Sequence, residues 1–158
     1  MFNMKINIRL FLLVFSLMYF ASCGGPNQAE LDQQQQEWEA VMAIHDEVMP
    51  KISEMNQISR ELKKVEERET ELFETYQDRI LGSKQKLEDA EEAMFSWMNE
   101  IKQLDKLRAD KSHEEILAYL AEEKVKITAV KEAMLESLED GLALLSEFEA
   151  LSQEAPTE

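Results

Sequence analysis

His45-Asp46-Glu47 sets an imidazole beside two carboxylates, the residue types from which acid-base pairs and divalent-metal sites are built. Neighbours on a helix leave the axis about 100° apart, so the three point to different sides and cannot converge without partners from another helix. The second histidine, His113, lies far along the chain, and no His-x-x-x-His, Glu-x-x-His or Asp-x-Asp-x-Asp-Gly spacing occurs. A neutral core or interface His45, hydrogen-bonded to one carboxylate, is therefore expected. Met42, Met49, Met55, Met94, Met98 and Met134 are soft donors that would suit haem or a soft metal. Methionine also fills irregular core gaps, and no Cys-x-x-Cys-His haem-attachment run accompanies them. Nucleophilic catalysis needs a nucleophile beside an oriented base, yet there is no Gly-x-Ser-x-Gly elbow, and acidic residues are too abundant for any pair to carry a signal. The chain does not read as an enzyme, and no metal or cofactor is expected.

The remaining chemistry belongs to Cys23, the only cysteine among 158 residues. It follows a leader with Lys5 and Arg9, no acidic residue, and an apolar run from Leu10 to Phe20 broken only by Ser16. That run falls well short of the ~20 residues needed to cross a bilayer, so a cleaved signal peptide is expected rather than a membrane helix. A lone cysteine in an exported chain has no internal disulfide partner. Phe20-Ala21-Ser22-Cys23 resembles the bacterial lipobox, with Phe20 in place of the commoner leucine. The resemblance implies that Cys23 becomes the mature N-terminus and carries a diacylglycerol thioether, with a third acyl chain on its amine. At ~0.8 kcal/mol per buried methylene, two or three chains make release from a membrane negligible. Gly24 stands where aspartate would favour inner-membrane retention, which implies an outer-membrane destination, and the want of an acidic cluster after it favours the periplasmic face. The alternative is ordinary cleavage near Ala21 or Ser22, leaving a free thiol.

Loss of the leader takes Lys5 and Arg9 with it, lowering the basic count from 17 to 15 against 33 acidic residues, a net charge of −18. Such a body repels phosphate backbones and anionic head groups, so nucleic acid is excluded as a partner. Glycine and proline are scarce between Pro26 and Pro156, where Leu, Glu, Lys, Ala, Met and Gln dominate. This is the composition of long helices in one all-α domain.

The elements that would position these residues follow from periodicity. Residues 1–22 read as signal peptide, 23–29 as a flexible tether, 30–152 as a helical bundle domain and 153–158 as a disordered tail. Trp38, Val41, His45, Val48, Ile52, Met55, Ser59 and Leu62 recur at alternating steps of three and four, the seam of a packed helix. The Gln33–Gln36 run suits a helix surface. Pro50 lies inside the seam without shifting its phase, so a kinked continuous helix is expected there. The seam resumes at Phe73, Tyr76, Ile80, Ser83, Leu87, Ala90, Met94, Trp97, Ile101 and Leu104. Glu66 and Glu69 occupy it in between, placing a turn within Val65–Thr70. The second helix is expected to end in the charged stretch Leu107–Lys111. Ser112-His113-Glu114-Glu115 has the form of a capping box. A third stripe runs Ile116, Leu120, Ile127, Val130, Met134, Leu138, Leu142, Leu145 and Phe148. Three stripes predict an up-down-up three-helix bundle, with an extended oligomeric coiled coil as the rival.

His45-Asp46-Glu47-Val48-Met49-Pro50-Lys51 and Met94-Phe95-Ser96-Trp97-Met98 resemble a family of small helical lipoproteins of Bacteroidota, some titled "viral A-type inclusion protein". The resemblance covers most of the mature chain and implies no established activity. It implies that His45, Asp46, Glu47, Pro50 and Trp97 shape a packing or interaction site. The expected role is structural or protein-binding, at a membrane, with an envelope protein as partner. A periplasmic bundle binding a metal, haem or a small ligand is the first alternative, and a chaperone-like binder the second.

Overall fold

The computed structural model describes residues 27–67 and 71–154, apart from the side chains at 71–73, 152 and 154. Phe20, Ala21, Ser22 and Cys23 therefore lie outside the described residues. The chain divides into two units, Met1–Gln33 and Gln34–Glu158. In the first, Asn27 caps a helix: its side-chain oxygen accepts the Glu30 N–H at 3.0 Å, and the Glu30 carboxylate accepts the Asn27 backbone N–H at 3.3 Å. The helix starts at Gln28, inside the stretch expected as tether.

Every described element is helical: α1 (Gln28–Val48), α2 (Lys51–Glu66), α3 (Glu71–Glu100), α4 (Leu104–Asp110) and α5 (His113–Glu154). Pro50 cannot donate to the Asp46 carbonyl, and the regular ladder lapses at Met49 and Pro50. The Met49 N–H still reaches the His45 carbonyl at 2.8 Å, and Pro50 keeps helical dihedrals at φ −62°, ψ −21°. Val48 before the lapse and Met55 after it enter one core. The proline thus splits the ladder into two helices where one kinked continuous helix was expected, while the apolar phase is kept across it.

α2 ends at Glu66 and α3 begins at Glu71, within the stretch expected to turn; residues 68–70 lie outside the described residues. The α3 helix packs on both α2 and α5, and α2 packs on α5, rather than extending as one rod. Cross-links fix the directions. Arg79–Glu147, Lys86–Asp140 and Trp97–Glu123 run α3 against α5, and Lys84–Glu66 with Asn56–Glu91 runs α2 against α3. Glu37–Lys124 and Glu47–Lys131 set α1 alongside α5 in the same sense. Exposed ion pairs of this kind add at most about 1 kcal/mol each, so they record register more than they hold the fold. Cohesion comes from Val41, Met55, Leu62, Ile80, Leu87, Met94, Ile127 and Met134, all at most 2% exposed, at roughly 1.5–3 kcal/mol per side chain removed from water.

Three expectations are corrected. The second helix stops at Glu100, not in Leu107–Lys111, because α5 catches the chain: the Tyr119 hydroxyl accepts the Lys102 N–H at 2.8 Å. Gln103 then turns extended and a short helix, α4, follows; its Leu104 and Leu107 form a separate cluster with Ile116 and Leu120. Leu142 is 49% exposed, and Gly141 and Leu144 take the inner positions instead. A Cβ at Gly141 would stand 2.6 Å from Ile58 Cγ2, so α2 and α5 approach there too closely for any side chain. Gln34, expected on the surface, is 1% exposed. The predicted cap of α5 is present: the Glu115 N–H donates to Ser112 Oγ at 3.3 Å and the Ser112 N–H to the Glu115 carboxylate at 2.8 Å.

Candidate functional site

Trp97 is on the inward stripe of α3, where the heptad spacing places it, and is 5% exposed. A buried indole N–H needs an acceptor. It donates to Glu123 Oε2 at 2.9 Å, from a carboxylate on α5 that is itself 3% exposed. The other oxygen of Glu123 accepts from Lys126 Nζ at 2.8 Å, one helical turn on, where the ammonium is half in solvent. That hydrogen bond holds the Lys126 ammonium above its ordinary pKa. His45 of α1 also lies against Trp97, with ring centroids 5.7 Å apart and planes at 32°. Its Nδ1 is 2.8 Å from Asp46 Oδ1, while the rest of Asp46 stands in water. The nearby Tyr119 phenol titrates above its ordinary value because it is partly buried, although the Lys102 N–H donated to its oxygen works the other way.

The residues expected to form a site are thus divided. His45 and Trp97 meet, and Asp46 joins them through the imidazole. The His45 ring is hydrogen-bonded to one carboxylate, the arrangement expected of it, and the three neighbours His45, Asp46 and Glu47 do not converge on one point. Glu47 turns away to Lys131 of α5 at 2.6 Å. Pro50 is exposed at the lapse between α1 and α2 and contributes backbone geometry only. Among the methionines, Met55, Met94 and Met134 are core, Met42 and Met49 flank it, and Met98 is 39% exposed.

Glu123 is the member that periodicity passed over. It stands three residues after Leu120 and four before Ile127, an inward position by spacing, and was skipped because its side chain is charged. A carboxylate in a core register opposite a seam tryptophan was the available signal. A second polar cluster was missed for the same reason. Arg108 Nε of α4 donates to Gln34 Oε1 of α1 at 2.9 Å, and Gln34 Nε2 lies 3.3 Å from His113 Nδ1 at the start of α5. One buried amide therefore ties three helices.

Chemically, the Trp97–Glu123–Lys126 arrangement is closed: both carboxylate oxygens are engaged by the chain's own donors. No group of three or more His, Cys, Asp or Glu placed to hold a metal ion occurs among the described residues, and no described helix is long and apolar enough to cross a membrane. No family model, curated protein or solved structure matches the chain.

Proposed function

We propose that the chain is a bacterial envelope lipoprotein, anchored through Cys23, whose acidic helical body is an up-down-up three-helix bundle serving a structural or protein-binding role. It belongs with the small helical lipoproteins of Bacteroidota that its His45–Lys51 and Met94–Met98 strings resemble, and it stands at the outer membrane, on the periplasmic face. The observation that carries the scaffold reading is that the buried Glu123 carboxylate has both oxygens engaged by the chain's own Trp97 and Lys126, which spends it on joining α3 to α5. The opposed directions of α2 against α3 and of α3 against α5 support the bundle. The lone cysteine after a short apolar leader supports the anchor.

Cys23→Ala tests the anchor. Fractionation of cells should find the parent chain in membranes and the variant outside them; a variant still in the membrane fraction sinks it. The ligand-binding alternative centres on His45 and the methionines. His45→Ala is expected to change stability without lowering metal or haem content, and a stoichiometric ligand lost with that substitution would favour the alternative.

A further inference from the structure

The long helix α5 carries two stripes, of which the bundle uses one. On its outer side Val125, Thr128, Leu135 and Leu142 repeat at steps of three and seven, with Glu132 and Glu139 filling the intervening positions, so that the whole strip alternates four and three. Val125 is 70% exposed, Leu135 39% and Leu142 49%, half of the exposed large apolar side chains among the described residues. The signal is the exposure of these apolar side chains along one face, and a facing helix is the element whose side chains would cover them at that interval. Val125 borders a shallow, open depression on α5 lined by Ala121, Thr128 and Ala129, with Glu37 of α1 at its edge.

Charge selects the occupant. Glu132, Glu136 and Glu139 stand on or beside the strip without an ion-pair partner among the described residues, while the nearby Lys124 and Lys131 are already engaged by Glu37 and Glu47. A second copy of this chain would bring its own glutamates to the same strip, on a molecule of net charge −16. A basic helix would neutralise them while its leucines entered the strip.

We infer that the outer stripe of α5 is a docking surface for an amphipathic basic helix of a partner protein. The inference deepens the protein-binding reading above and rests on it, but it is tested apart from the anchor. The probe is a synthetic peptide of about three heptads, with leucine at seam positions and lysine on both flanks, compared with a scrambled peptide of identical composition. Binding is measured by fluorescence anisotropy to the full chain as recovered from cells, in a nonionic detergent that keeps it dispersed whether or not Cys23 is acylated, with detergent alone as blank. The heptad peptide should bind at least about tenfold more tightly than the scrambled one and gain helicity on binding. The double variant Leu135→Glu, Leu142→Glu adds negative charge yet removes the stripe. It should lose that advantage at unchanged thermal stability, whereas Leu81→Glu, at an exposed apolar position on α3, should keep it. Equal affinity for both peptides, or undiminished preference in the double variant, would reduce the surface to nonspecific charge and overturn the inference. Concentration-dependent self-association abolished by the same double variant, without a preference for the heptad peptide, would assign the stripe to a second copy and overturn it equally.

Discussion

Glu123 performs two tasks that substitution can separate. Glu123→Gln retains an oxygen to accept the Trp97 N–H and loses only the charge facing Lys126, so it should cost under about 1 kcal/mol. Glu123→Ala leaves a buried indole N–H without an acceptor and opens a cavity, at about 2–4 kcal/mol. Urea denaturation followed by circular dichroism measures both, and equal losses would contradict the role given to the hydrogen bond. Glu115 makes a second prediction at this scale. The Ser112 N–H, and after it the Ser112 hydroxyl, hold its carboxyl below the ordinary value of 4.5. Because its folded pKa is the lower one, the cap's contribution is present above the unfolded value and disappears as pH falls through the folded one. Ser112→Ala removes only the hydroxyl's share and should raise the Glu115 titration part of the way toward the ordinary value by NMR; an unmoved titration would show that the hydroxyl has no part in it. Trp97 and the Ser112–Glu115 box were legible because a seam position and a four-residue spacing define them. Glu123 and Gln34 were not, since polar side chains enter a core only when a specific partner on another helix satisfies them, and a linear pattern holds no record of such partners.

At the level of elements, the two helical glycines should respond oppositely to the same change. Gly82 of α3 has nothing within 4 Å of an added Cβ, so Gly82→Ala should stabilise by about 0.5–1 kcal/mol through helix propensity and chain entropy. At Gly141 the new methyl would meet Ile58 Cγ2 at 2.6 Å, with Ser83 Oγ and Leu87 Cδ1 at 3.5 and 3.6 Å. The branched methyl of isoleucine is fixed close to its own backbone and yields little. Gly141→Ala should therefore destabilise by about 1–2 kcal/mol after the same propensity gain is counted, as overpacking does elsewhere. Thermal melts of the pair decide, and a stabilising Gly141→Ala would mean that α2 and α5 are not this close. The inner stripe of α3 was readable from spacing, whereas that of α2 was readable only at Met55 and Leu62: Ile58 rather than Ser59 enters the core, and Val65, expected in the turn, is buried in the helix. The stripe of α5 was misread at Leu142 because a glycine holds the inner position, where its value is the absence of a side chain. The break after Glu100 was equally hidden: the signal is a hydroxyl on Tyr119, in another helix, that captures the Lys102 amide.

The whole chain carries a net charge of −16, and with 33 acidic residues its folded state works against its own repulsion. Raising NaCl from about 0.02 M to about 0.3 M shortens the screening length from roughly 20 Å to under 10 Å and should raise Tm by a few degrees. A fall in Tm would mean that exposed pairs such as Arg79–Glu147 and Lys86–Asp140 outweigh the repulsion. Class was legible at this scale from composition alone, since a chain so poor in glycine and proline and so rich in leucine, glutamate and lysine has little choice but helices. The outer stripe on α5 emerged only with the fold, because Leu142 reads as core by spacing until the inner face is seen to be full. All of this describes a body, and the anchor proposed at Cys23 is the one covalent bond that would make it an envelope component. Mass spectrometry of the N-terminal peptide of the chain recovered from bacterial membranes tests that bond directly. The expected result is a peptide beginning at Cys23 and bearing a diacylglycerol thioether; a peptide beginning elsewhere, or an unmodified Cys23 thiol, would rule the anchor out.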